Sequence, residues 1–429
     1  MSVSILIPLL CIVALMCSGM PVWIAMFLGV APWFAELNSI GFTVATEVQR
    51  FIATTESASY LAIPFFVTGG AIMNYAGLSK RMLDFADALV GHISGGLGLV
   101  NVLVSVFMGG CSGSAAADAA VDCKMLVPEM EKKGYDIDFS AAVTIASSLI
   151  TPIIPPGMGL VVYATLAGVS IGRIFAAGYL PGFLTAAVMC VLVYVISKKR
   201  GYKGSREKMA SLKEILILGL KGIGALFIPF GLLGALRAGM FTANECGAIL
   251  CIYALICGVC YRELKLEHLW PIIMESVTGT ATVMITICSA NAMTYWLSVE
   301  RIPNMLATSI AESGLPQAGF LLVSVVVLLI MGMFMTSGVT ILTPILAPIA
   351  AAMGIDLVHF GIVLVYTWGI GNTTPPFGVV LYQVCGLLHR PFEKVVKATI
   401  PFIIMMIAMA VLIAFVPGIS TWIPELLYG

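Results

Sequence analysis

The sequence predicts an all-α protein that crosses a membrane many times. Hydrophobic residues make up 60% of the 429 residues, charged residues make up 10%, and the mean hydropathy is +1.05. A soluble domain carries roughly 25% charged residues. Long apolar runs recur along the whole chain, as in spanning helices and unlike a β-barrel. The formal net charge of zero argues against nucleic acid as a partner, whereas membrane lipid is an expected one.

Two distant stretches, "TPIIPPGMG" and "NTTPPFGVV", indicate an internal duplication. When the chain is shifted by 220 residues, Pro155-Pro156 falls on Pro375-Pro376 and Pro128 falls on Pro348. Prolines in one register are hard to obtain by chance among apolar residues. We therefore predict a first repeat at 1–197, a basic linker at 198–213, and a second repeat at 214–429.

Each repeat is predicted to contain five crossings and one re-entrant hairpin. Crossings of the first repeat are expected at 3–17, 20–35, 54–77, 138–170 and 176–197, and those of the second at 214–236, 241–261, 272–297, 357–388 and 398–416. Hairpins are expected at 95–131 and 316–353. Their arms of about 15 residues rise only ~22 Å, against ~30 Å for the hydrocarbon core of a membrane.

An odd number of crossings requires the two repeats to lie in the membrane with opposite orientations. When the linker is placed in the cytoplasm, 16 Lys and Arg residues fall inside and 4 fall outside. This asymmetry agrees with the positive-inside rule. Inverted repeats that each carry a hairpin and a broken helix are typical of secondary transporters.

The proline pairs break the helices at 138–170 and 357–388. A broken helix exposes carbonyl and N–H groups at membrane depth, which is tolerated where those groups line a cavity or bind a ligand. Unwound carbonyls bind Na⁺, and half-helix N-termini favour an anion. We expect one cation site for each pair of hairpin tip and break. The candidate residues are Ser112, Gly113, Ser114, Thr151 and Gly157 in the first repeat, and Thr336, Ser337, Gly338, Asn372, Thr373, Thr374 and Gly378 in the second.

Further polar residues near the first break are candidates for substrate binding or ion coupling. Asp118 and Asp122 lie four residues apart and therefore share a helix face. An ionisable residue inside the membrane is a functional candidate, and Asp118 is the candidate for coupling. Asp122 has two alternatives, a structural pair with the nearby Lys124 or contact with cytoplasmic water. Ser147 and Ser148 directly precede the first break. If either break is taken alone, the alternative explanation is that its prolines kink the helix only for packing.

Two other classes of membrane protein, an intramembrane protease and a channel, fit the sequence less well. An intramembrane protease needs a Ser/His pair or two Asp residues on different spans, but the histidines fall at predicted segment ends and both Asp residues lie on one arm. The sequence thus predicts no enzyme, no catalytic residue and no cofactor. A channel is more usually a symmetric oligomer than a pair of inverted repeats.

Four motifs, "GGCSGSAAADAA", "LVPEMEKKGYD", "TPIIPPG" and "NTTPPFG", resemble the large (DctM-like) membrane subunit of the TRAP (tripartite ATP-independent periplasmic) transporters. The resemblance spans nearly the whole chain and departs from the family at "AVDCKM", where Asp122 and Lys124 stand. It implies Na⁺-driven import of an organic acid across the bacterial inner membrane, by an elevator motion of an ion-transporter-superfamily fold.

The resemblance also implies partners and sites. The partners are a four-helix small membrane subunit, expected as a separate polypeptide in a heterodimer, and a periplasmic substrate-binding protein. The family's cation positions carry over onto the tip at 112–114 with Thr151, Pro152 and Gly157, and onto the tip at 336–338 with the break at 372–376. Na⁺ is the one expected metal.

The resemblance leaves the substrate open among C4-dicarboxylates, 2-oxo acids and sialic acid. A proton-coupled organic anion transporter of the same superfamily that works without a binding protein is the alternative. If the hairpins move against a static scaffold of the neighbouring spans, we expect Trp23, Trp33, Phe34 and Trp296 to be exposed toward lipid or the small subunit.

The charge asymmetry makes the topology testable. Lys203→Cys, in a variant without native cysteines, is expected to react with a membrane-impermeant thiol reagent only after the cells are opened, because the linker is predicted to be cytoplasmic. Arg301→Cys is the matched control that should react in intact cells. Labelling of position 203 in intact cells would overturn the orientation.

Overall fold

The computed structural model describes residues 3–37, 39, 41–57, 60–110, 112–238, 240–303, 305, 308, 316–335 and 338–429. Helices form the regular structure of these residues, and none of them lies in a β-strand. The α-helices before the linker are α1 (Val3–Cys17), α2 (Val22–Pro32), α3 (Val44–Glu56), α4 (Ala62–Tyr75), α5 (Leu78–Val90), α6 (Gly96–Gly109), α7 (Ala115–Met125), α8 (Val127–Lys132), α9 (Ile137–Ser147), α10 (Met158–Ala167) and α11 (Ile171–Arg200). Those after it are α12 (Leu212–Arg237), α13 (Ala243–Cys260), α14 (Leu269–Val299), α15 (Gln317–Phe334), α16 (Gly338–Ala352), α17 (Leu357–Thr373), α18 (Val379–Leu387), α19 (Phe392–Phe415) and α20 (Gly418–Tyr428).

Five of the described helices are long and apolar enough to cross a membrane. They are α11, α13, α14 together with its leading turn, α15 and α19. Shorter apolar helices, among them α6, α9, α10, α16 and α17, pack between them. The architecture is that of a polytopic membrane protein.

The crossing predicted at 54–77 is wrong at its start, because these residues do not form one continuous helix. Helix α3 ends at Glu56, Ser57 is extended, and the apolar helix α4 begins only at Ala62. Helices α3, α5 and α20 lie where no helix was predicted. A search for long apolar runs misses α3 and α5 because these amphipathic helices have a low mean hydropathy. It misses α20 because this helix has only 11 residues.

The two halves carry the same order of elements around their proline pairs. Helices α6 and α7 are joined by a short tip and are followed by the broken helix α9–α10, and α15 and α16 are likewise followed by α17–α18. The halves also interleave, because α9 packs on α19, α7 on α18, and α10 on both α16 and α17. Helix α4 packs on both α13 and α14 beside this unit.

An aromatic cluster near the start of the chain corrects the expectation of exposed aromatic residues. Trp33 and Phe34 are fully buried and Trp296 is 1% exposed. The indole N–H of Trp33 donates to Glu300 Oε1 at 2.6 Å, and Phe34 stacks on Tyr295 with 6.2 Å between ring centroids. Because α2 packs on α14, these rings form a core between the two helices. Trp23 alone of the four is partly exposed.

Two tryptophans on α14 test this core. Trp296→Ala is expected to destabilise the protein by about 3–5 kcal/mol, because it opens a cavity among buried rings. Trp270→Ala, at a side chain that is 69% exposed, should cost no more than about 0.5 kcal/mol. The measurement is the midpoint of thermal unfolding of the detergent-purified chain. Equal midpoints for the two variants would contradict the burial of Trp296.

Candidate substrate and cation site

The first break separates α9 from α10 over residues 148–157, which contain no α-helix. A helix does not continue through the proline pair, whose peptide bond is cis. Gly157 precedes α10 in an extended conformation, and a Cβ atom there would collide with the carbonyl oxygen of Pro152. Only glycine allows the chain to fold back this closely on itself.

The first hairpin tip lies directly on this break. Gly113 has φ +58°, and a Cβ atom there would come within 2.5 Å of the Pro156 carbonyl oxygen. The Ser114 hydroxyl caps α7 by accepting from the Ala117 N–H at 3.4 Å. The Ser112 hydroxyl donates to the Met108 carbonyl at 3.4 Å. Hydroxyl and carbonyl oxygens of the tip and the break are thereby close together.

A buried polar network lies behind the tip. Thr151 donates through its hydroxyl to Asp118 Oδ2 at 2.8 Å and to the Ser105 carbonyl at 3.2 Å. Asp118 is fully buried and Asp122 is 1% exposed. Asp118 Oδ1 and both carboxylate oxygens of Asp122 have no hydrogen-bond partner among the described residues. The network therefore brings unpaired oxygen atoms next to the first break.

The two serines predicted near the first break lie inside the helix packing. Ser147 donates to Asn101 Oδ1 at 2.6 Å, and Asn101 donates to the Thr144 hydroxyl at 2.8 Å. Ser148 donates to the Ile145 carbonyl at 2.8 Å. Their hydroxyls join α9 to α6 and stabilise the end of α9.

The second break lies between α17 and α18. Thr373 and Thr374 both donate to the Ile370 carbonyl, at 2.8 and 2.6 Å. Asn372 is 7% exposed, and its Oδ1 has no hydrogen-bond partner among the described residues. The second proline pair is also cis, and Gly378 precedes α18 without a side-chain cap.

The second hairpin packs on this break through small residues. A Cβ atom at Gly332 would come within 2.5 Å of the Trp368 carbonyl oxygen, and one at Gly338 would come equally close to the Trp368 ring. The Trp368 indole N–H donates to the Met335 carbonyl at 3.1 Å. The predicted ligands Thr336 and Ser337 lie outside the described residues.

A cavity of about 420 Å³ connects the two breaks. The predicted residues that line it are Ser112, Gly113, Ser114, Pro152 and Asn372. Thr151, Gly157, Gly338, Thr373, Thr374 and Asp118 do not line it, and neither do Ser147 and Ser148. Four helices also point their first residues at the cavity; these residues are Ala115–Ala117 of α7, Met158 and Gly159 of α10, Val339 and Thr340 of α16, and Val379 and Val380 of α18.

These helix N-termini give the cavity an electrostatic polarity. The first N–H groups of an α-helix have no partner within the helix and carry a partial positive charge. No side chain caps α10 or α18, so their N–H groups are available to an anion.

Helices α4 and α14 form the opposite wall. They contribute Asn74 and Glu275, whose side chains are joined by a hydrogen bond of 3.1 Å from Asn74 Nδ2 to Glu275 Oε1. Neither residue is among the site residues predicted from the sequence. Glu275 was detectable as an acidic residue within a long apolar helix. Its position in the cavity depends on packing, which the sequence does not show.

Two side-chain contacts tie the halves together beside the cavity. Gln383 on α18 donates to the Ala116 carbonyl on α7 at 3.1 Å. Arg390 donates to both carboxylate oxygens of Asp138 at 2.8 and 3.0 Å. These hydrogen bonds raise the pKa of Arg390 above its usual value.

Comparisons with known proteins agree with this geometry. The family model "Tripartite ATP-independent periplasmic transporter, DctM component" matches residues 9–419. The sialic acid TRAP transporter large permease protein SiaM of Vibrio cholerae is 35% identical, with 97% of each chain covered. The 2,3-diketo-L-gulonate TRAP transporter large permease protein YiaN of Escherichia coli is 34% identical, with 97% of this chain and 98% of that protein covered. The C4-dicarboxylate TRAP transporter large permease protein DctM of Pseudomonas aeruginosa is 33% identical, with 88% of each covered.

Two solved transporter structures share the fold. The Alcanivorax borkumensis YdaH transporter superposes with a TM-score of 0.63 at 13% identity, covering 96% of this chain and 98% of that one. MtrF of Neisseria gonorrhoeae superposes with a TM-score of 0.59 at 12% identity, covering 87% of this chain and 83% of that one.

Spanning helices around two broken helices and a shared cavity form the arrangement of a multi-pass membrane transport protein. The named relatives are permeases of transporters and not enzymes. The chain belongs to the DctM family, the large permease component of the tripartite ATP-independent periplasmic transporters. It is a multi-pass protein of the bacterial inner membrane.

The contact between Thr151 and Asp118 makes a prediction about stability. Thr151→Val keeps the shape of the side chain but removes the hydroxyl donor, so we expect a loss of about 1.5–3 kcal/mol. Thr165→Val is the matched control, because the Thr165 hydroxyl only bonds back to the Val161 carbonyl of its own helix. Thermal unfolding of the purified variants measures the difference. A stability of Thr151→Val equal to that of the control would argue against the buried contact.

Proposed function

We propose that this chain imports a small organic acid across the inner membrane, driven by Na⁺ and by an elevator motion. The observation that carries the proposal is the cavity at which the first tip and one residue of each break, Pro152 and Asn372, meet the uncapped N-termini of α10 and α18. N–H groups at these termini suit a carboxylate, while nearby carbonyl, hydroxyl and amide oxygens suit Na⁺.

Inverted repeats provide the framework of the proposal. The common register of the proline pairs, the matching order of elements and the distribution of Lys and Arg support two repeats in opposite orientations. Such repeats produce two related states, one open to each side of the membrane, around a site near the midplane.

Two Na⁺ sites are proposed, one in each repeat. The residues of the first are Ser112, Gly113, Ser114, Thr151, Pro152 and Gly157. Those of the second are Thr336, Ser337, Gly338, Asn372, Thr373 and Thr374. The unpaired buried Asn372 Oδ1 supports the second site, because a buried oxygen without a donor is costly unless a cation or water meets it. The unpaired Asp118 Oδ1, beside Thr151, supports the first in the same way.

The elevator motion is supported by the division of the packing. Gln383 ties α18 to α7, and Arg390, in the loop after α18, pairs with Asp138 of α9. Helix α15 of the second hairpin packs on α17. We therefore propose that both hairpins and both breaks move as one body. Helix α4 packs on both α13 and α14, and these three helices form the proposed static wall. The cavity lies between this body and this wall.

The proposed partners follow from the family. Relatives of the same length are named large permeases of TRAP transporters for sialic acid, 2,3-diketo-L-gulonate and C4-dicarboxylate. We propose that this chain pairs with a separate four-helix small subunit. A periplasmic binding protein would deliver the acid to this pair.

Proton coupling without a binding protein is the second candidate. The observation that favours it is the pair of buried carboxylates, Asp118 and Asp122, which face no basic partner among the described ion pairs. In that mechanism the pair would carry the coupling proton. Substrate that moves with a proton gradient alone would favour it.

Na⁺ coupling is tested by uptake into proteoliposomes that contain this chain, the small subunit and the binding protein. Ser112→Ala and Thr373→Ala are each expected to raise the Na⁺ concentration for half-maximal uptake about fivefold, because each loses one oxygen ligand worth about 1 kcal/mol. Thr165→Ala is the control and should leave this concentration unchanged. Equal uptake with K⁺ in place of Na⁺ would contradict Na⁺ coupling.

A further inference from the structure

The cavity carries hydrogen-bond donors on one wall and acceptors on the other. The donor wall consists of the first residues of α7, α10, α16 and α18. The acceptor wall consists of side chains on α4 and α14. A bound molecule that meets both walls must therefore combine an anionic end with an end rich in donors.

The acceptor wall is defined by Asn74 and Glu275. A carboxylate only accepts hydrogen bonds, so the Asn74 amide turns its NH₂ group toward Glu275 Oε1 at 3.1 Å. This arrangement leaves Asn74 Oδ1 buried and without a partner among the described residues. An amide oxygen in that position needs a donor, and the Glu275 side chain, on an exposed residue, adds further acceptor oxygens.

Threonines on α14 extend the acceptor wall. Thr282 donates its hydroxyl hydrogen to the Thr278 carbonyl at 2.8 Å, and Thr286 donates to the Thr282 carbonyl at 2.7 Å. Each hydroxyl hydrogen is thereby used within the helix, and the oxygen lone pairs remain for a ligand. Both threonines line the cavity.

The cavity also lacks a positively charged side chain among its described lining residues. Glu275 is the one charged residue among them. The adjoining tip residues outside the described part of the chain are Cys111, Thr336 and Ser337 in the sequence, none of which is basic. One carboxylate can bind the helix N-termini, but a second carboxylate on the same molecule would face Glu275 without a basic side chain among the described lining residues to offset the repulsion.

We propose that the substrate is a polyhydroxylated monocarboxylate and that Glu275 selects against dicarboxylates. The carboxylate binds the N–H groups at the starts of α10 and α18, and substrate hydroxyls donate to Asn74 and Glu275. The volume of about 420 Å³ is sufficient for an acid of this kind. This inference rests on the proposed role of the cavity as the substrate site.

Equilibrium binding to the purified full-length chain in nanodiscs with Na⁺ tests the substrate class, because the binding protein is then absent. The probes are gluconate, galactonate, glucuronate and N-acetylneuraminate as hydroxylated monocarboxylates, succinate, fumarate and malate as dicarboxylates, and pyruvate as a small acid without hydroxyls. At least one hydroxylated monocarboxylate is expected to bind about tenfold or more tighter than every dicarboxylate.

Glu275→Gln is expected to tighten dicarboxylate binding about tenfold, because it removes the repelling charge and keeps an acceptor oxygen. Binding of the hydroxylated acid should stay within about threefold. Glu267→Gln is the matched control, since it removes the same charge from an exposed residue just before α14 that does not line the cavity. Glu267→Gln should change the affinity neither for dicarboxylates nor for hydroxylated monocarboxylates.

Asn74→Leu tests the acceptor wall separately. The variant should weaken the hydroxylated acid about three- to tenfold and leave pyruvate unchanged, because pyruvate has no hydroxyl to donate. Tighter binding of a dicarboxylate by the wild type, or no effect of either variant, would overturn the substrate class and leave acid transport standing. Binding of none of the acids would overturn the cavity as an acid site as well.

Discussion

Backbone polar groups inside a membrane must be satisfied, and this requirement governs the arrangement of the whole molecule. Each proline pair releases carbonyl and N–H groups from a helix in a region without bulk water. The two hairpin regions pack on the two breaks, through Gly113 on Pro156 and through Gly332 on Trp368. The oxygen atoms left at these contacts are the ones proposed to bind Na⁺.

Close backbone approach explains why small residues cluster at these contacts. A side chain at Gly157 would collide with the Pro152 carbonyl, and one at Gly371 would come within 2.5 Å of the Gly332 backbone. Packing at this distance leaves no room for lipid or water between α15 and α17, or between Gly113 and Pro156 at the first tip. The described arms of the hairpins therefore pack directly on the broken helices.

The interleaving of the two halves places the cavity. Helices of the first half pack on helices of the second, and Arg390 pairs with Asp138 across the two halves. As a result, helix N-termini from both halves converge on one space, where their partial positive charges act together. Helices α4 and α14 close this space on the other side with Asn74 and Glu275, so the polarity of the cavity arises from helices that lie far apart in the chain.

The sequence by itself determined the membrane class, the two helix breaks and the positions of the helices α6, α7, α15 and α16 beside them, because apolar run length and proline pairs are local signals with a direct physical meaning. It did not reveal the amphipathic helices α3 and α5, whose mean hydropathy is low. It also suggested exposure for Trp33, Phe34 and Trp296, although these rings form a core between α2 and α14. Only the tertiary structure decided that Ser147 and Ser148 lie outside the cavity and that Asn74 and Glu275 line it. The face that a membrane helix turns toward a cavity depends on which helices pack beside it, and those neighbours are distant in the chain.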